Sequence, residues 1–118
     1  DRVVFGRPIG KNQGVQFPLA ESAIKLDAAE LMTFKALEQY DAGEPCGDAA
    51  NMAKYLASEA AFEACDRAVQ THGGYGYASE FNVERYFRET RIWRFAPIAN
   101  NFILAYVAEK MLGLPRSY

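Results

Sequence analysis

The sequence has few cysteines, no cluster of basic residues and no long apolar run, and each shortage argues against a class of protein. Cys46 and Cys65 are too few for a disulfide framework and lack zinc-site spacing, so we expect reduced thiols in an intracellular protein. The 13 basic and 15 acidic residues give a net charge of -2 without a basic stripe, which argues against nucleic acid as a partner. No apolar segment approaches the roughly 20 residues of a membrane-spanning helix, and no signal peptide is visible.

The chain is instead rich in apolar and helix-forming residues. Half of its 118 residues are hydrophobic and 14% are aromatic, which suits one domain with a core. Strand-like alternation is not sustained anywhere, whereas helical spacing recurs. A short connector over 1–12 precedes four predicted helices: Val15–Ala42, Ala49–His72, Val83–Arg91 and Pro97–Leu112. The pattern predicts an all-α fold, an antiparallel four-helix bundle with two long helices, one short and one medium.

Side-chain spacing and helix-ending residues indicate how these helices are bounded and packed. Gly43 is expected to form a left-handed cap, Asp48 and Asn82 to be N-caps, and Pro97 to occupy the first turn of the fourth helix. Apolar residues of the first helix predict one buried stripe: Phe17, Ala20, Ile24, Ala28 and Leu31. Alanines of the second helix form a ridge that lets a neighbouring helix approach closely: Ala49, Ala53, Ala57, Ala61, Ala64 and Ala68.

The segment AVQTHGGYGY is the glycine-rich turn that ends the second long helix. Gly73 and Gly74 stop the helix and leave backbone amides that either complete the helix end or face a ligand. His72, the one histidine of the sequence, is expected to cap or pack. Tyr77 is expected to pack, while Tyr75 is a candidate to line a ligand cleft.

Three segments in order carry a family resemblance: RVVFGRPIGKNQ, AVQTHGGYGY and ERYFRETRIW. With these separations and helices between them, the chain from Arg2 to Gly113 resembles the C-terminal all-α domain of acyl-CoA dehydrogenases. The resemblance implies flavin-dependent α,β-dehydrogenation of an acyl-CoA substrate, with FAD as cofactor and electron-transfer flavoprotein as electron acceptor. It also implies a homo-oligomer, a dimer or tetramer, in the cytoplasm of a bacterium or, for a eukaryote, the mitochondrial matrix, with the cytoplasm favoured.

The same resemblance implies that residues 1–118 are one of three domains. The family's N-terminal helical domain and middle β-domain would be absent from this chain, which begins at Asp1 without methionine or a helix cap. We therefore expect the first residues to be the tail of an upstream element, and the isolated domain to be inactive.

The resemblance assigns six residues to FAD binding: Arg2, Phe5, Gln13, Gln70, Gly73 and Gly74. Arg2 matches an arginine that holds the FAD pyrophosphate of a neighbouring subunit, and a guanidinium fork suits phosphate oxygens. Phe5 and Gln13 match residues near the adenine and adenosine end, although a core phenylalanine and a helix cap are open alternatives. Gln70 offers an amide that both donates and accepts, and the glycines let backbone approach a ligand. The sequence predicts no metal ligand.

The sequence departs from the family pattern at the catalytic base. Ungapped alignment from Arg88 places Pro97 on the family's glutamate, and proline cannot abstract a proton; the nearest downstream carboxylate, Glu109, is about three helical turns away. Either the base lies on a helix upstream of this chain, or the protein is a flavin-dependent monooxygenase on the same fold. A non-catalytic helical oligomerisation module is a third reading. Asn100 and Asn101 are candidate polar contacts at a helix N-terminus.

Overall fold

The computed structural model describes residues 2–117, so Asp1, with which the expected connector begins, lies outside the described residues. The connector contains a small antiparallel hairpin, β1 (Val3–Val4) and β2 (Arg7–Pro8). The remaining elements are a 3-10 turn (Ile9–Lys11), α1 (Gln13–Asp41), α2 (Gly47–His72), a second 3-10 turn (Gly73–Gly76), α3 (Val83–Ile92), α4 (Asn100–Tyr106) and a π-helical turn (Val107–Met111). Within residues 2–117, no helix has the length and hydropathy to cross a membrane.

The helix α2 is the central element of the fold. α1 packs along it, and α3, α4 and the second 3-10 turn contact it as well. The expectation of an all-α fold with four helices, two of them long, is confirmed. The described residues extend over 55 × 28 × 25 Å with a radius of gyration of 17.9 Å, well above the roughly 13 Å of a compact 100-residue domain. The domain is therefore elongated and leaves much helical surface open.

The predicted helix ends are correct where glycine sets the backbone and less accurate where a polar cap was expected. Gly43 has a φ of +70°, which confirms the left-handed cap after α1. The cap at Asp48 is wrong, because α2 begins one residue earlier, at Gly47. The Asp48 carboxylate instead accepts a hydrogen bond of 2.8 Å from the Tyr106 hydroxyl. Asn82 does precede α3, but its side chain makes no capping hydrogen bond.

The predicted fourth helix, Pro97–Leu112, is wrong at its start and in its regularity. α4 begins at Asn100, and its last part widens into the π-helical turn. Pro97 follows a cis peptide and lies in a loop instead of a first helical turn. The Asn100 amide donates to the Arg94 carbonyl at 2.9 Å, so the helix starts where the loop closes on itself.

The stripe expected to be buried on α1 lies on the open side of that helix. Phe17, Ile24 and Leu31 are 61%, 69% and 72% exposed, so the prediction is wrong for this chain. The face that packs on α2 instead carries the two buried residues of α1, Ser22 and Ala29. The predicted alanine ridge on α2 agrees better with the structure, because its first two members, Ala49 and Ala53, are buried.

A cluster of charged side chains, the polar seam, joins α1 to α2. Arg67 on α2 donates to Glu21 at 2.6 Å and also pairs with Glu63, while Lys25 on α1 reaches Glu63 at 2.7 Å and Glu21 at 3.0 Å. Between the helices, Glu21 pairs with Arg67 and Lys25 with Glu63, so residue numbers rise along α1 as they fall along α2, as antiparallel helices require. Hydrogen bonds from Lys25 and then Arg67 lower the pKa of Glu21, and hydrogen bonds to Glu63 and Glu21 raise the pKa of Lys25. The seam explains why α1 faces α2 with polar residues.

The core of the described residues is small and made mainly of alanine. Its buried hydrophobic residues are Ala29, Ala49, Ala53, Ala60 and Ile103. Short side chains let α1 and α2 approach closely but remove little apolar surface from water. Most large apolar side chains of the domain are therefore at its surface.

Candidate cofactor site

A cavity of about 480 Å³, called here the hairpin cavity, lies between the N-terminal hairpin and the end of α2. It brings together two of the six predicted cofactor residues, Arg2 and Gly73. Its lining residues are Arg2, Val4, Ile9, Thr71, His72, Gly73 and Tyr75. No carboxylate lines it, so the guanidinium of Arg2 is not neutralised from within the cavity.

Local backbone geometry holds Arg2 at the base of the hairpin. The strands pair Val3 with Pro8, and the Ile9 amide donates to the Arg2 carbonyl at 2.9 Å. Phe5 takes a left-handed φ of +53° at the tip. The Arg2 side chain has no hydrogen-bond or ion-pair partner among residues 2–117, in contrast to Arg7 of the same hairpin, which donates to Asn12 at 2.6 Å. A fixed backbone therefore carries an unpaired cation beside the cavity.

Each glycine of the turn after α2 meets a different physical demand. Gly73 has a φ of +59°, which suits glycine at a helix end. Gly76 is buried, and a Cβ there would overlap the Val69 carbonyl oxygen and stand 3.0 Å from the Val69 Cα. Gly74 has open space around it and no left-handed φ, so neither packing nor backbone conformation requires a glycine at that position.

The aromatic side chains of the turn divide between the cavity and solvent. His72 Nδ1 lies 2.8 Å from the Ala68 carbonyl oxygen, and its ring centroid is 6.4 Å from that of Phe81. These contacts fit the capping and packing expected of His72, but the ring is also exposed and lines the hairpin cavity. Tyr75 packs on Phe81 at 5.2 Å and lines the same cavity. The prediction that Tyr77 packs against the domain is wrong, because Tyr77 is 90% exposed although the neighbouring Gly76 is buried.

The other four predicted cofactor residues do not line the hairpin cavity. Phe5 is fully exposed at the hairpin tip, which excludes the alternative of a core phenylalanine. Gln13 is the first residue of α1 and makes no capping hydrogen bond, so it is not the cap considered above. Gln70 is exposed in the last turn of α2, where its carbonyl accepts from the Gly73 amide, and Gly74 is exposed in the turn.

The region of Pro97 contains a second, apolar cavity of about 340 Å³ between α2 and the loop before α4. Its lining residues are Lys54, Ala57, Ser58, Ala61, Trp93, Ala96 and Pro97. No carboxylate lines this cavity. The neighbouring Glu59 accepts from Arg94 at 2.9 and 2.8 Å and from Asn100 Nδ2 at 2.7 Å. Both carboxylate oxygens of Glu59 are therefore held by hydrogen bonds inside the fold.

Asn100 joins the same loop to α2 and is not free to meet a ligand. Its side chain is 5% exposed, its Oδ1 accepts from Lys54 Nζ at 2.5 Å, and its Nδ2 donates to Ser58 Oγ at 2.9 Å. Burial lowers the pKa of Lys54, while the charge of Glu59 opposes that shift. The expectation of a polar ligand contact at Asn100 is therefore wrong, because its hydrogen-bonding groups are used inside the fold. Asn101 beside it is exposed.

Cysteine and metal-binding groups contribute no site to the described part of the chain. Cys46 and Cys65 are free thiols. Among residues 2–117, no three side chains of His, Cys, Asp or Glu come together as a metal site.

The described residues form an all-α domain with an open cavity between its N-terminal hairpin and the end of α2. The chain belongs to the acyl-CoA dehydrogenase family: the family model for the acyl-CoA dehydrogenase C-terminal domain matches residues 1–112. A curated relative, acyl-CoA dehydrogenase FadE12 of Mycobacterium tuberculosis, is 47% identical over 99% of this chain and 31% of its own length. The chain thus spans about a third of the length of the curated relatives it matches.

Two solved structures share the fold closely. The structure of butyryl-CoA dehydrogenase from Megasphaera elsdenii matches with a TM-score of 0.91 and 34% identity over 95% of this chain and 29% of that one. The FAD complex of PigA matches with a TM-score of 0.91 and 29% identity over 96% of this chain and 29% of that one.

Sequence reasoning missed several residues that shape these cavities. The steric role of Gly76 could be suspected only from the glycine itself, because the clash involves Val69 in another element. The clamp of Arg94 and Asn100 on Glu59 joins residues 35 and 41 positions apart, which no local pattern reports.

Proposed function

We propose that this domain is the C-terminal part of a flavin-dependent acyl-CoA dehydrogenase and that it contributes to FAD binding and oligomerisation. The observation that carries the proposal is the hairpin cavity, which is lined by Gly73 and by Arg2, has no carboxylate in its lining, and leaves the Arg2 guanidinium without a partner among residues 2–117. Membership of the family and likeness to the FAD complex of PigA support FAD as the cofactor.

The donor groups at the hairpin cavity suit the adenosine diphosphate part of FAD. Arg2 would hold a phosphate by charge-assisted hydrogen bonds, and the bare backbone at Gly73 and Gly74 would let a ribose or phosphate approach. Gln70 would add an amide, and Phe5 an exposed aromatic face. When bound, FAD would accept the hydride from the β-carbon of an acyl-CoA substrate.

The acid–base step is proposed to use a residue outside this domain. Pro97 has no acid–base function, and the cavity beside it has no carboxylate. We place the base on a helix of an upstream segment, together with an N-terminal helical domain and a middle β-domain of the complete polypeptide. Electron-transfer flavoprotein is the acceptor that the family resemblance implies.

A comparison of two hairpin arginines tests the cofactor proposal. In the complete polypeptide that carries this domain, Arg2→Ala should weaken FAD binding by about 10- to 100-fold, because a charge-assisted hydrogen bond contributes about 1.5–3 kcal/mol. Arg7→Ala is the matched control, since Arg7 is bonded to Asn12 and does not line the cavity. Calorimetric titration of the apoprotein measures both. Equal losses, or a wild type that takes up no FAD, would contradict the proposal and favour a non-catalytic helical module.

A flavin-dependent monooxygenase is the second candidate, favoured by the absence of a carboxylate from the cavity at Pro97. Anaerobic mixing of the holoprotein with a panel of acyl-CoA thioesters separates the two. A dehydrogenase should bleach its flavin absorbance with substrate alone. If no thioester bleaches the flavin while oxygen consumption requires a reductant, the dehydrogenase reading fails.

Oligomerisation is proposed from the open apolar side of α1. Ile24 is 69% exposed there, and large apolar surface of this kind is usually covered by a partner. Ile24→Glu should shift the complete polypeptide from a dimer or tetramer toward smaller species in light scattering. Ala23→Glu, at an exposed neighbour with little apolar surface to lose, should shift it less. An unchanged mass for Ile24→Glu would remove this support.

A cytoplasmic location is proposed from the free state of Cys46 and Cys65, since unpaired cysteines suit a reducing compartment. Cell fractionation of the producing organism would test it.

A further inference from the structure

We propose that His72 is a pH-dependent phosphate-binding residue of the hairpin cavity, where its protonated ring joins Arg2 in holding the pyrophosphate of FAD. The inference rests on the proposed function for the cofactor. It adds a residue that sequence reasoning assigned to capping or packing only. The hydrogen bonding of the ring, the charges around it and its place at a helix end support this role.

The hydrogen bond to Ala68 fixes how the imidazole can act. A carbonyl oxygen only accepts, so the 2.8 Å contact requires the proton on Nδ1 of His72. Nε2 is then the nitrogen left for a ligand: an acceptor in the neutral ring and a donor in the protonated ring. The centroid of the Phe81 ring lies 6.4 Å from that of the His72 ring. The ring is thus held at the cavity wall with one nitrogen unused among residues 2–117.

The end of α2 by itself is unfavourable for an anion. α2 ends beside the hairpin cavity, and the helix dipole places partial negative charge at that end. A phosphate at this place needs compensating cations.

An anion in the hairpin cavity would meet both the His72 ring and the Arg2 guanidinium, because both residues line the cavity. Arg2 from the hairpin and Tyr75 from the 3-10 turn are the other ionisable residues of the lining, and α1 contributes none. Arg67, on the same helix, is paired with glutamates of the polar seam. Glu80, in the loop beside Phe81, is exposed and outside the lining. With no carboxylate in the cavity, a bound phosphate would be the anion facing both side chains, and its negative charge would favour the protonated ring, so we expect binding to take up a proton.

This coupling makes cofactor affinity depend on pH. Histidine is the side chain whose charge ordinarily changes between about pH 5 and about pH 8, a range over which the pyrophosphate diester stays ionised. One added ion pair at a partly exposed site is worth up to about fivefold in affinity. FAD should therefore bind about fivefold more tightly to the wild type near the acidic end of this range than near the alkaline end.

The test is calorimetric titration of the complete apopolypeptide with FAD, ADP and riboflavin at both ends of the pH range, in buffers of different ionisation enthalpy. His72→Phe is the main variant, because it keeps an aromatic ring beside Phe81 and cannot be protonated. His72→Gln is the second variant, retained in case the phenylalanine disturbs the turn. The wild type should show proton uptake and acid-tightened binding for FAD and ADP but not for riboflavin, and both variants should lose these effects.

The outcomes separate this inference from the proposed function. If FAD binds and the variants keep the same pH dependence and proton uptake, His72 has no such role while the cofactor proposal stands. Equal pH dependence for riboflavin and FAD would also overturn the phosphate role. If neither FAD nor ADP binds at any pH, the cofactor proposal and this inference fail together.

Discussion

Replacing Gly76 with alanine tests whether the 3-10 turn that carries Gly73 and Tyr75 packs closely on α2. Gly76 is buried against α2, and a Cβ there would overlap the Val69 carbonyl oxygen and lie 3.0 and 3.1 Å from the Val69 Cα and C. All three neighbours are backbone atoms inside α2, so they cannot rotate away as a side chain can. The 3-10 turn must move off the helix instead.

The cost follows from the overpacking of buried sites. Inserting a methyl group into a packed region costs about 1–3 kcal/mol, and a rigid backbone neighbour places Gly76→Ala in the upper half of that range. A loss of about 2 kcal/mol in local opening free energy makes amide exchange about 30-fold faster. The amides that report it belong to Tyr77 and Ala78, which donate to Gly74 and Tyr75 at 3.2 and 3.3 Å. Hydrogen–deuterium exchange of peptides covering 69–81 measures the effect.

The control for this substitution lies two residues away. A Cβ at Gly74 would meet no atom within 4 Å, and Gly74 has no left-handed φ. Gly74→Ala should therefore leave exchange unchanged or slightly slower, because it restricts the unfolded chain. Equal acceleration by the two substitutions, or none by Gly76→Ala, would refute the proposed close packing on Val69.

Two further predictions concern buried and charged polar groups. Asn100→Ala should lower the free energy of unfolding by about 2–3 kcal/mol, since it leaves hydrogen-bonding groups of α2 unpaired, whereas Asn101→Ala should change it by under about 0.5 kcal/mol; urea midpoints measure both. The lowered pKa of Glu21, caused by Lys25 and then Arg67, means that this carboxylate contributes stability above its ordinary pKa of 4.5 and loses it as pH falls through the lowered value. The difference in urea midpoint between wild type and Glu21→Gln should therefore be present at neutral pH and vanish in acid, and a difference independent of pH would contradict it.

Glycine made two helix ends predictable, because its effect on the backbone is local. Gly43 and Gly73 both take left-handed φ values at helix ends where the sequence places them. Pro97 misled the prediction for the opposite reason. Proline at a first helical turn is a local preference, but the start of α4 is set by Asn100, which is tied to α2 and to the Arg94 carbonyl.

Burial on α1 could not be predicted because the helix has apolar residues on its open side and charged residues in its contact with α2. Helical periodicity finds the apolar stripe of Ile24 and Leu31 and assigns it to the core. The contact with α2 instead uses Ser22, Lys25 and the partners of Lys25 in the polar seam. Glu63, the partner of Lys25 on α2, is 38 positions away in sequence, so this pairing is visible only once the helices are aligned.

The cofactor residues illustrate the same limit. Arg2 and Gly73 are each reasonable candidates by residue type, but only the hairpin and the end of α2 together place both at one cavity. The sequence analysis treated Gly73 and Gly74 together, as a helix stop and as candidate cofactor contacts, and assigned no role to Gly76. The fold requires Gly73 for its φ and Gly76 for its packing, which leaves Gly74 as the glycine without a structural need.

The hydrogen bonds around the loop of Pro97 also bear on which residue can act as the acid–base group. A relocated base within this domain would have to be a nearby carboxylate, and Glu59 is the carboxylate next to the loop. Its two oxygens are bound by Arg94 and by Asn100, which close the loop that carries Pro97. Freeing Glu59 for proton transfer would break the contacts that position the loop itself. This engagement of Glu59 supports the proposal that the base lies on a segment outside this domain.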